Sequence, residues 1–203
     1  LKPGNLPTEK GYCMMADGSG FVAMVTRMPG VTSEMIDWWF AWHGLESLRY
    51  KIWDPEEHYA VHVLGKDLER RLNPRLNTRE RNWGTTDIVD EDVGTGTVTL
   101  YISFMSPEDY GYDMDQFRVP NVLTAVSANL GLLEPKTPMA TFSHVAREIP
   151  GGIELRSRFW LGWHIPGQSV CGRNRHFLCT PRLRISHPLG VSTSRRVLRN
   201  PKG

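Results

Sequence analysis

The chain has 203 residues, of which 40% are hydrophobic and 23% are charged. That length suits one domain with a substantial core, and no apolar run is long enough for a transmembrane helix. The sequence begins Leu-Lys-Pro-Gly, without the apolar stretch of a signal peptide. Its three cysteines match neither a zinc motif nor a disulfide framework, so we expect a reducing, cytoplasmic setting.

The net charge of +2 conceals a division along the chain. Residues 171–203 hold eight Lys or Arg and no acid, so the rest holds 16 basic and 22 acidic groups, a net charge of −6. A basic tail is one way to contact nucleic acid, but no RNA motif or interleaved aromatic residues accompany it. We predict a domain over residues 1–170, an irregular, solvated tail over 171–203, and no nucleic-acid or membrane partner.

A strand and a tryptophan-rich helix are the first predicted elements. Phe21–Met28 is apolar and β-branched between turn signals, which predicts a strand. Thr32 or Ser33 then caps a helix, which should continue to about residues 50–53 because Pro55 disfavours helix just before it. Residues at three- and four-residue steps predict its apolar face: Met35, Trp38, Trp39, Trp42, Leu45 and Leu48.

Later segments predict mostly strands. Residues 65–82 are polar and predict a loop or a short helix, residues 106–121 predict a surface loop, and 121–133 fit a strand or a helix. Two glycine-containing turns predict hairpins. Their strands are Thr85–Val93 with Thr97–Phe104, and Met139–Ile149 with Ile153–His164. The whole pattern predicts an α+β domain built on an antiparallel sheet.

Segment 35–58 concentrates the candidate functional groups. Large aromatic rings stand there beside His and Glu side chains, a combination typical of a walled pocket with a few inward polar groups. His58 is either a zinc ligand or a surface histidine in an acidic loop, and His62 joins it only if the segment is helical. His43 and Glu46 would pair with each other one helical turn apart.

Three further candidates also have structural alternatives. Glu91 lies among three successive acids, which form a solvated edge unless one of them points into a cavity as a metal ligand or base. His144 is a core or a pocket histidine, and Tyr50 is a core aromatic or a pocket phenol. No phosphate loop, nucleophile elbow, dinucleotide fingerprint or His-Glu-x-x-His motif is present.

Several segments together resemble one family. They are Gly11-Tyr12-Cys13, Asp17-Gly18-Ser19-Gly20, Met28-Pro29-Gly30-Val31-Thr32, Trp38-Trp39-Phe40-Ala41-Trp42-His43, Leu48-Arg49-Tyr50-Lys51-Ile52-Trp53, Pro55-x-x-His58, Trp83-Gly84-Thr85, Glu91-Asp92-Val93-Gly94 and Arg158-Phe159-Trp160-Leu161-Gly162. Over residues 11–164 the chain is similar to the 2,4-diacetylphloroglucinol hydrolase and phloretin hydrolase family.

The resemblance implies a helix-grip fold, similar to birch-pollen-allergen and START-like domains, in which a curved antiparallel sheet wraps a long C-terminal helix around a ligand cavity. It implies a zinc-dependent hydrolase that cleaves the carbon–carbon bond between an acyl group and a phloroglucinol-type ring. The family's first zinc-binding His and Glu best match His58 and Glu91. Its pocket tyrosine matches Tyr50, and its pocket histidine on a late strand matches His144; we expect both to be catalytic.

The chain also departs from this family. The other two zinc ligands form a His-x-x-x-Glu motif on the C-terminal helix, and no acidic residue follows Glu154 here. We therefore expect that helix to be missing, as in a truncated or frame-disrupted copy, so this chain is either an active or an inactive hydrolase. The alternative function is a non-catalytic helix-grip binder of hydrophobic aromatic molecules. A homodimer is compatible with either function.

Overall fold

The computed structural model describes residues 9–15, 17–117 and 122–162, which form eight strands and four helices. The α+β prediction is confirmed. The elements are β1 (Gly11–Met14), β2 (Gly20–Pro29), α1 (Ser33–His43), α2 (Ser47–Trp53), β3 (His58–His62), α3 (Lys66–Arg71), β4 (Thr86–Asp92), β5 (Thr97–Met105), α4 (Met114–Phe117), β6 (Val122–Leu132), β7 (Thr137–Ile149) and β8 (Gly152–Leu161).

All eight strands form one antiparallel sheet in the order β1-β2-β8-β7-β6-β5-β4-β3. Strands β3 to β8 follow one another as a meander, and β2 then adds beside β8, with Phe21 opposite Trp160. Gly152 permits this junction, because a Cβ there would lie 2.3 Å from the carbonyl oxygen of Met28. The N-terminal strands therefore extend the edge formed by the last described hairpin.

The strand predictions are largely confirmed. Both predicted hairpins are present, β4 with β5 and β7 with β8, and the ambiguous segment at 121–133 contains β6. The polar segment at 65–82 contains the short helix α3. The last predicted strand was expected to reach His164, but residues 163 and 164 lie outside the described ranges, as does the whole predicted tail at 171–203.

The prediction of one continuous tryptophan-rich helix is wrong, because the chain breaks at Gly44 into α1 and α2. Thr32 is the N-cap, and its hydroxyl accepts a hydrogen bond from the backbone nitrogen of Met35 at 3.4 Å. At Gly44 a Cβ would lie 2.7 Å from Asp87 Oδ2 and 3.0 Å from Arg71 Nη1. The backbone thus passes directly against a buried ion pair, which fixes the position of the break.

The predicted apolar face of this helix is also wrong. Trp38 is 50% exposed and Leu48 is 70% exposed, whereas the buried face of α1 carries Ile36, Asp37 and Phe40. Asp37 is buried because the Thr124 hydroxyl in β6 donates a hydrogen bond to its carboxylate at 2.6 Å. A buried, satisfied carboxylate on the core side hides that side from an analysis based on hydrophobic spacing.

The main hydrophobic core lies between α1 and the sheet. Its buried members are Met28, Ile36, Phe40, Phe104, Val126, Ala128, Phe142, Ala146, Ile153 and Leu155. A second, smaller cluster joins α2 to β3, β4 and β5 through Tyr50, Val61, Val89 and Leu100. Within the described ranges, no helix has both the length and the apolar character needed to cross a membrane.

Candidate functional site

A cavity of about 320 Å³ lies between the helices α1 and α2 and one face of the sheet. Every strand except β1 contributes to its lining, which requires the sheet to curve around it. On β2, β5, β7 and β8 the residues that line it alternate along the strand, as the two-residue period of a pleated strand dictates. Examples are Leu100, Ile102 and Phe104 on β5, Ala140, Phe142 and His144 on β7, and Ser157, Phe159 and Leu161 on β8.

Phenylalanine rings, more than tryptophans, form the aromatic wall. Phe40, Phe104, Phe142 and Phe159 line the cavity, and Trp53 is the one tryptophan in the described ranges that does so. Most tryptophans of segment 35–58 are therefore not part of the wall; Trp38, for example, is half exposed on α1 and stacks on Trp42 at 5.1 Å. A cavity of about 150 Å³ already accommodates benzene, so this one has room for a substituted aromatic ring.

Tyr50, His58 and Glu91 come together on one side of the cavity. The Tyr50 hydroxyl donates a hydrogen bond to Glu91 Oε1, and His58 Nε2 lies 3.7 Å from the same oxygen. The Tyr50 and His58 rings stack at 4.5 Å and 19°. Tyr50 comes from α2, His58 begins β3, and Glu91 lies opposite His58 in the ladder between β3 and β4. The cluster therefore depends on strand register as well as on the helix.

Burial governs the protonation of this cluster. It raises the pKa of Glu91, an effect that the Tyr50 hydrogen bond opposes and the charges of Glu57 and Asp54 reinforce. Burial also lowers the pKa of His58 and, together with the Glu91 charge, raises the pKa of Tyr50 well above 10. At neutral pH the phenol is protonated and the imidazole is neutral, which is the form of histidine that binds metals.

The His58 and Glu91 side chains fit two ligand positions of a zinc site. Two ligands of a tetrahedral zinc lie about 3.3 Å apart, close to the 3.7 Å between His58 Nε2 and Glu91 Oε1. His58 Nδ1 is buried and makes no hydrogen bond of standard geometry. The backbone of Tyr50 is nevertheless close enough to raise the pKa of His58 slightly, against the larger effect of burial. Among the described residues, no group of three His, Cys, Asp or Glu side chains could hold a metal, so the fit covers only two ligands.

His144 also lines the cavity, from β7, which is separated from β4 in the sheet by β6 and β5. Its Nδ1 is 2.7 Å from the hydroxyl of Ser157 on β8, and its ring packs against Phe142 and Phe159. Burial lowers the pKa of His144 to about 4, so the ring is neutral near pH 7. His144 is thus both a buried histidine and a cavity histidine, and sequence reasoning had treated these as alternatives.

His43 is a cavity residue that sequence reasoning assigned elsewhere. The expected pairing with Glu46 is wrong, because Glu46 precedes α2 with an extended backbone and pairs with Arg49 instead. His43 Nδ1 contacts the carbonyl oxygen of Trp39 at 2.7 Å, and its ring stacks on Tyr50 at 5.8 Å. His62, the other alternative ligand, is exposed in β3 and is not among the residues that line the cavity.

Arg71 and Asp87 form a buried ion pair behind the cavity, which the sequence did not reveal. Arg71 Nη2 lies 2.5 Å from Asp87 Oδ1, and both side chains are almost fully buried. Arg71 Nε also donates to the Thr85 hydroxyl at 2.9 Å. Burial raises the pKa of Asp87 to about 7, against the opposing effect of Arg71. Asp87 lines the cavity, so a charged pair from α3 and β4 supports its wall.

These features define an α+β protein whose curved antiparallel sheet and two helices surround an aromatic cavity with one cluster of phenol, imidazole and carboxylate. A family model described as the DAPG hydrolase PhiG domain matches residues 1–185. The chain belongs to this family, which confirms the resemblance. The match includes the first part of the segment that was predicted to be a basic tail.

Individual relatives agree with the family match. The chain is 36% identical over 156 residues to a phloretin hydrolase of Eubacterium ramulus, covering 76% of this chain and 55% of the relative. It is 33% identical over 165 residues to a 2,4-diacetylphloroglucinol hydrolase of a Pseudomonas species, covering 81% and 55%. A protein of the same name from Pseudomonas protegens is also 33% identical, with 81% and 53% covered. The chain thus spans about half the length of these relatives.

Proposed function

We propose that this chain is a zinc-dependent hydrolase that cleaves the carbon–carbon bond between an acyl group and a phloroglucinol-type aromatic ring. The observation that carries the proposal is the convergence of Tyr50, His58 and Glu91 on an aromatic cavity. The names of the relatives, phloretin hydrolase and 2,4-diacetylphloroglucinol hydrolase, support the substrate class. We further propose that the sheet is of the helix-grip type and that residues 1–170 form the hydrolase-like domain.

The cavity suits a flat, partly hydroxylated ring. Its phenylalanine walls would pack against the faces of such a ring, while Tyr50, Glu91 and His144 place polar groups in the lining. This arrangement is the usual one in small-molecule sites, where apolar surface supplies affinity and a few polar groups fix orientation.

The reaction needs water addition at one carbon and proton delivery at another. Water adds to the acyl carbonyl carbon, the carbon–carbon bond breaks, and its electron pair stays on the ring carbon, which takes a proton. The products are a carboxylic acid and the deacylated ring. The Tyr50 phenol remains protonated at neutral pH. Its one proton is donated to Glu91 in the structure, so it would donate to an oxygen that gains negative charge by exchanging that bond. The neutral His144 imidazole can relay a proton to the ring carbon of a bound substrate.

His58 and Glu91 are the residues that would hold zinc. When bound, the metal polarises a carbonyl oxygen and lowers the pKa of a bound water to about 7. Catalytic zinc sites have three protein ligands or more, and the described residues supply two. The metal site of this chain is therefore proposed as one half of the family's ligand set.

The direct test is release of acetate from trihydroxyacetophenone by the purified chain with added zinc. Acetate should form in proportion to enzyme, and Tyr50→Phe should reduce its release by about a hundredfold, the usual contribution of one hydrogen bond donor to the transition state. His62→Ala is the matched control and should retain full release, since His62 is exposed away from the cavity. No acetate above the rate without protein would contradict hydrolysis of this substrate by the chain.

The alternative is a non-catalytic binder of hydrophobic aromatic molecules. The two-ligand metal site and the predominantly apolar cavity favour it. Saturable binding of trihydroxyacetophenone without acetate release, at any zinc concentration, would support the binder and contradict the enzyme.

A further inference from the structure

His43 has a tautomer that its surroundings determine. Its Nδ1 lies 2.7 Å from the carbonyl oxygen of Trp39, one helical turn earlier. A carbonyl oxygen can only accept a hydrogen bond, so Nδ1 must carry the proton and donate it. In a neutral imidazole the other nitrogen is then an acceptor. His43 Nε2 therefore presents a lone pair.

The ring that carries this lone pair is held in place on several sides. His43 stacks on Trp39 at 5.4 Å and 4°, and on Tyr50 at 5.8 Å and 15°. Trp53 stacks on it at 5.7 Å, and Phe40 meets it edge-on at 5.4 Å. Rotation of the imidazole would break the hydrogen bond to Trp39 and these ring contacts together, so the direction of Nε2 is fixed before any ligand arrives.

The acceptor remains available and uncharged. His43 lines the cavity, and within the described ranges no side chain or backbone group bonds its Nε2. Burial lowers the pKa of His43 to about 4, an effect that the nearby charge of Arg71 reinforces. A neutral acceptor in apolar surroundings pairs best with a neutral donor, because a ligand that covered this acceptor without offering a donor would lose binding free energy.

We propose that His43 Nε2 accepts a hydrogen bond from a ring hydroxyl of the bound aromatic ligand, and so selects hydroxylated rings over those that lack that hydroxyl. The proposal rests on the phenolic ligand class of the proposed function. It gives His43 a role in specificity that is separate from the Tyr50, His58 and Glu91 cluster. It also explains why a histidine, and not a third tryptophan or a second phenylalanine, completes this group of aromatic rings.

Calorimetric binding of a ligand pair tests the idea. The full chain is titrated with trihydroxyacetophenone and with the two dihydroxyacetophenones that each lack one kind of ring hydroxyl. One of the two dihydroxyacetophenones lacks the hydroxyl that meets His43. The wild type should bind trihydroxyacetophenone with a dissociation constant roughly tenfold lower than that of this compound, the value of one good hydrogen bond. His43→Phe keeps an aromatic ring in the stack and should reduce that ratio to about one. His62→Phe is the control and should leave the ratio unchanged.

The outcomes separate this proposal from the one above. If the wild type binds these phenols but His43→Phe preserves the preference for every hydroxyl, the role of His43 is wrong and the ligand class stands. If the wild type binds none of them, the ligand class fails and the His43 proposal fails with it. If binding occurs without acetate release, the hydrolase proposal fails while the His43 result still decides this one.

A second measurement needs no substitution. In the unmodified chain labelled with ¹⁵N-histidine, the resonances should show His43 protonated at Nδ1 and not at Nε2. Saturating trihydroxyacetophenone should shift the Nε2 resonance of His43, and acetophenone, which has no ring hydroxyl, should shift it far less. A proton on Nε2, or an Nε2 resonance that does not respond to the phenol, would overturn the proposal even if His43→Phe does not fold.

Discussion

The hydroxyl of Tyr50 donates a hydrogen bond to the carboxylate of Glu91, 41 residues further along the chain. The bond joins α2 to β4 across the side of the cavity, and the same carboxylate oxygen faces His58 Nε2 at 3.7 Å. Phenol, carboxylate and imidazole therefore act as one unit, so a change in one residue alters the protonation and the geometry of the others.

We expect Tyr50→Phe to destabilise the protein and to raise the pKa of Glu91, because the phenol is the group that holds this pKa down against burial. A buried carboxylate that loses its donor costs about 1–3 kcal/mol in the free energy of unfolding. Urea unfolding measures the first effect, and the side-chain carboxyl resonance of Glu91 measures the second. Tyr59→Phe removes a solvent-exposed hydrogen bond to the Glu56 carbonyl and should change neither quantity appreciably.

Zinc should bind weakly to this chain and through His58. A complete structural zinc site contributes about 10–16 kcal/mol, so half a ligand set implies a dissociation constant weaker than about 1 µM. In calorimetric titration, His58→Ala and Glu91→Gln should abolish specific binding, while His62→Ala should preserve it. Appending a family-type C-terminal helix with His-x-x-x-Glu should restore tight binding. Tight binding that survives His58→Ala would instead point to His43, His62 or His144 as ligands.

Replacing both Arg71 and Asp87 should lower the free energy of unfolding by less than the two single replacements added together. Arg71→Met leaves a buried carboxylate, and Asp87→Asn leaves a buried guanidinium; each should lower the free energy of unfolding by about 3–5 kcal/mol. The double variant should lose less than the sum, because neither charge is left without its partner. The exposed pair Glu46–Arg49 is the control, and its loss should cost under about 1 kcal/mol. Strictly additive losses at Arg71 and Asp87 would show that the two charges are not coupled.

His144 should make the protein less stable as the pH falls from about 6.5 to 4. Burial holds the folded-state pKa at about 4, whereas the unfolded chain takes up the proton near 6.5. The neutral, buried imidazole thereby contributes about 3 kcal/mol to the free energy of unfolding. This contribution is complete above pH 6.5 and is lost as the pH falls through the folded-state pKa. Asp87, with its raised pKa, acts in the opposite direction, so the comparison must be between variants.

The matched variant is His144→Gln, which retains a polar group beside Ser157. The difference in unfolding free energy between wild type and His144→Gln should change by about 3 kcal/mol between pH 7 and 4, because the Asp87 contribution is common to both. A difference that stays constant over this interval would mean that His144 has the same pKa in the folded and unfolded states.

Five of the eight strands, β2, β4, β5, β7 and β8, were predictable from sequence because local signals mark them. Gly94 and Gly96 have φ angles of 92° and 101°, a backbone region that glycine enters without strain, and the residues on either side alternate. These signals are short-range, so they do not depend on what the strand packs against. The same holds for the helix start at Thr32, whose capping hydrogen bond spans only three residues.

The buried face of the helix and much of the site were not predictable in this way. A count of apolar side chains selects Trp38 and Leu48, but the structure buries Ile36 and Phe40, because the Asp37–Thr124 hydrogen bond orients α1 on the sheet. His43 was paired with Glu46 on the assumption of one continuous helix, and the break at Gly44 removes that geometry. In each case the deciding contact comes from a residue distant in sequence.

The resemblance brought together Tyr50, His58, Glu91 and His144, and the structure places all four around one cavity. Their catalytic and metal-binding roles remain predictions. Asp87 was not selected, because an acid in a strand of alternating sequence gives no sign that an arginine 16 residues earlier will meet it.

Gly44 has a consequence for how sequences of this kind can vary. Its backbone is in the ordinary right-handed helical region, with φ of −72°, so any residue could adopt that conformation. What requires glycine is the carboxylate of Asp87, which occupies the space that a methyl group would need. The polar surface helix α3 supplies Arg71, which holds that carboxylate in place. Substitutions of Gly44, Arg71 and Asp87 should therefore arise together. A substitution in α3 that moves Arg71 would change the angle between α1 and α2, and with it the orientation of Tyr50 toward the ligand.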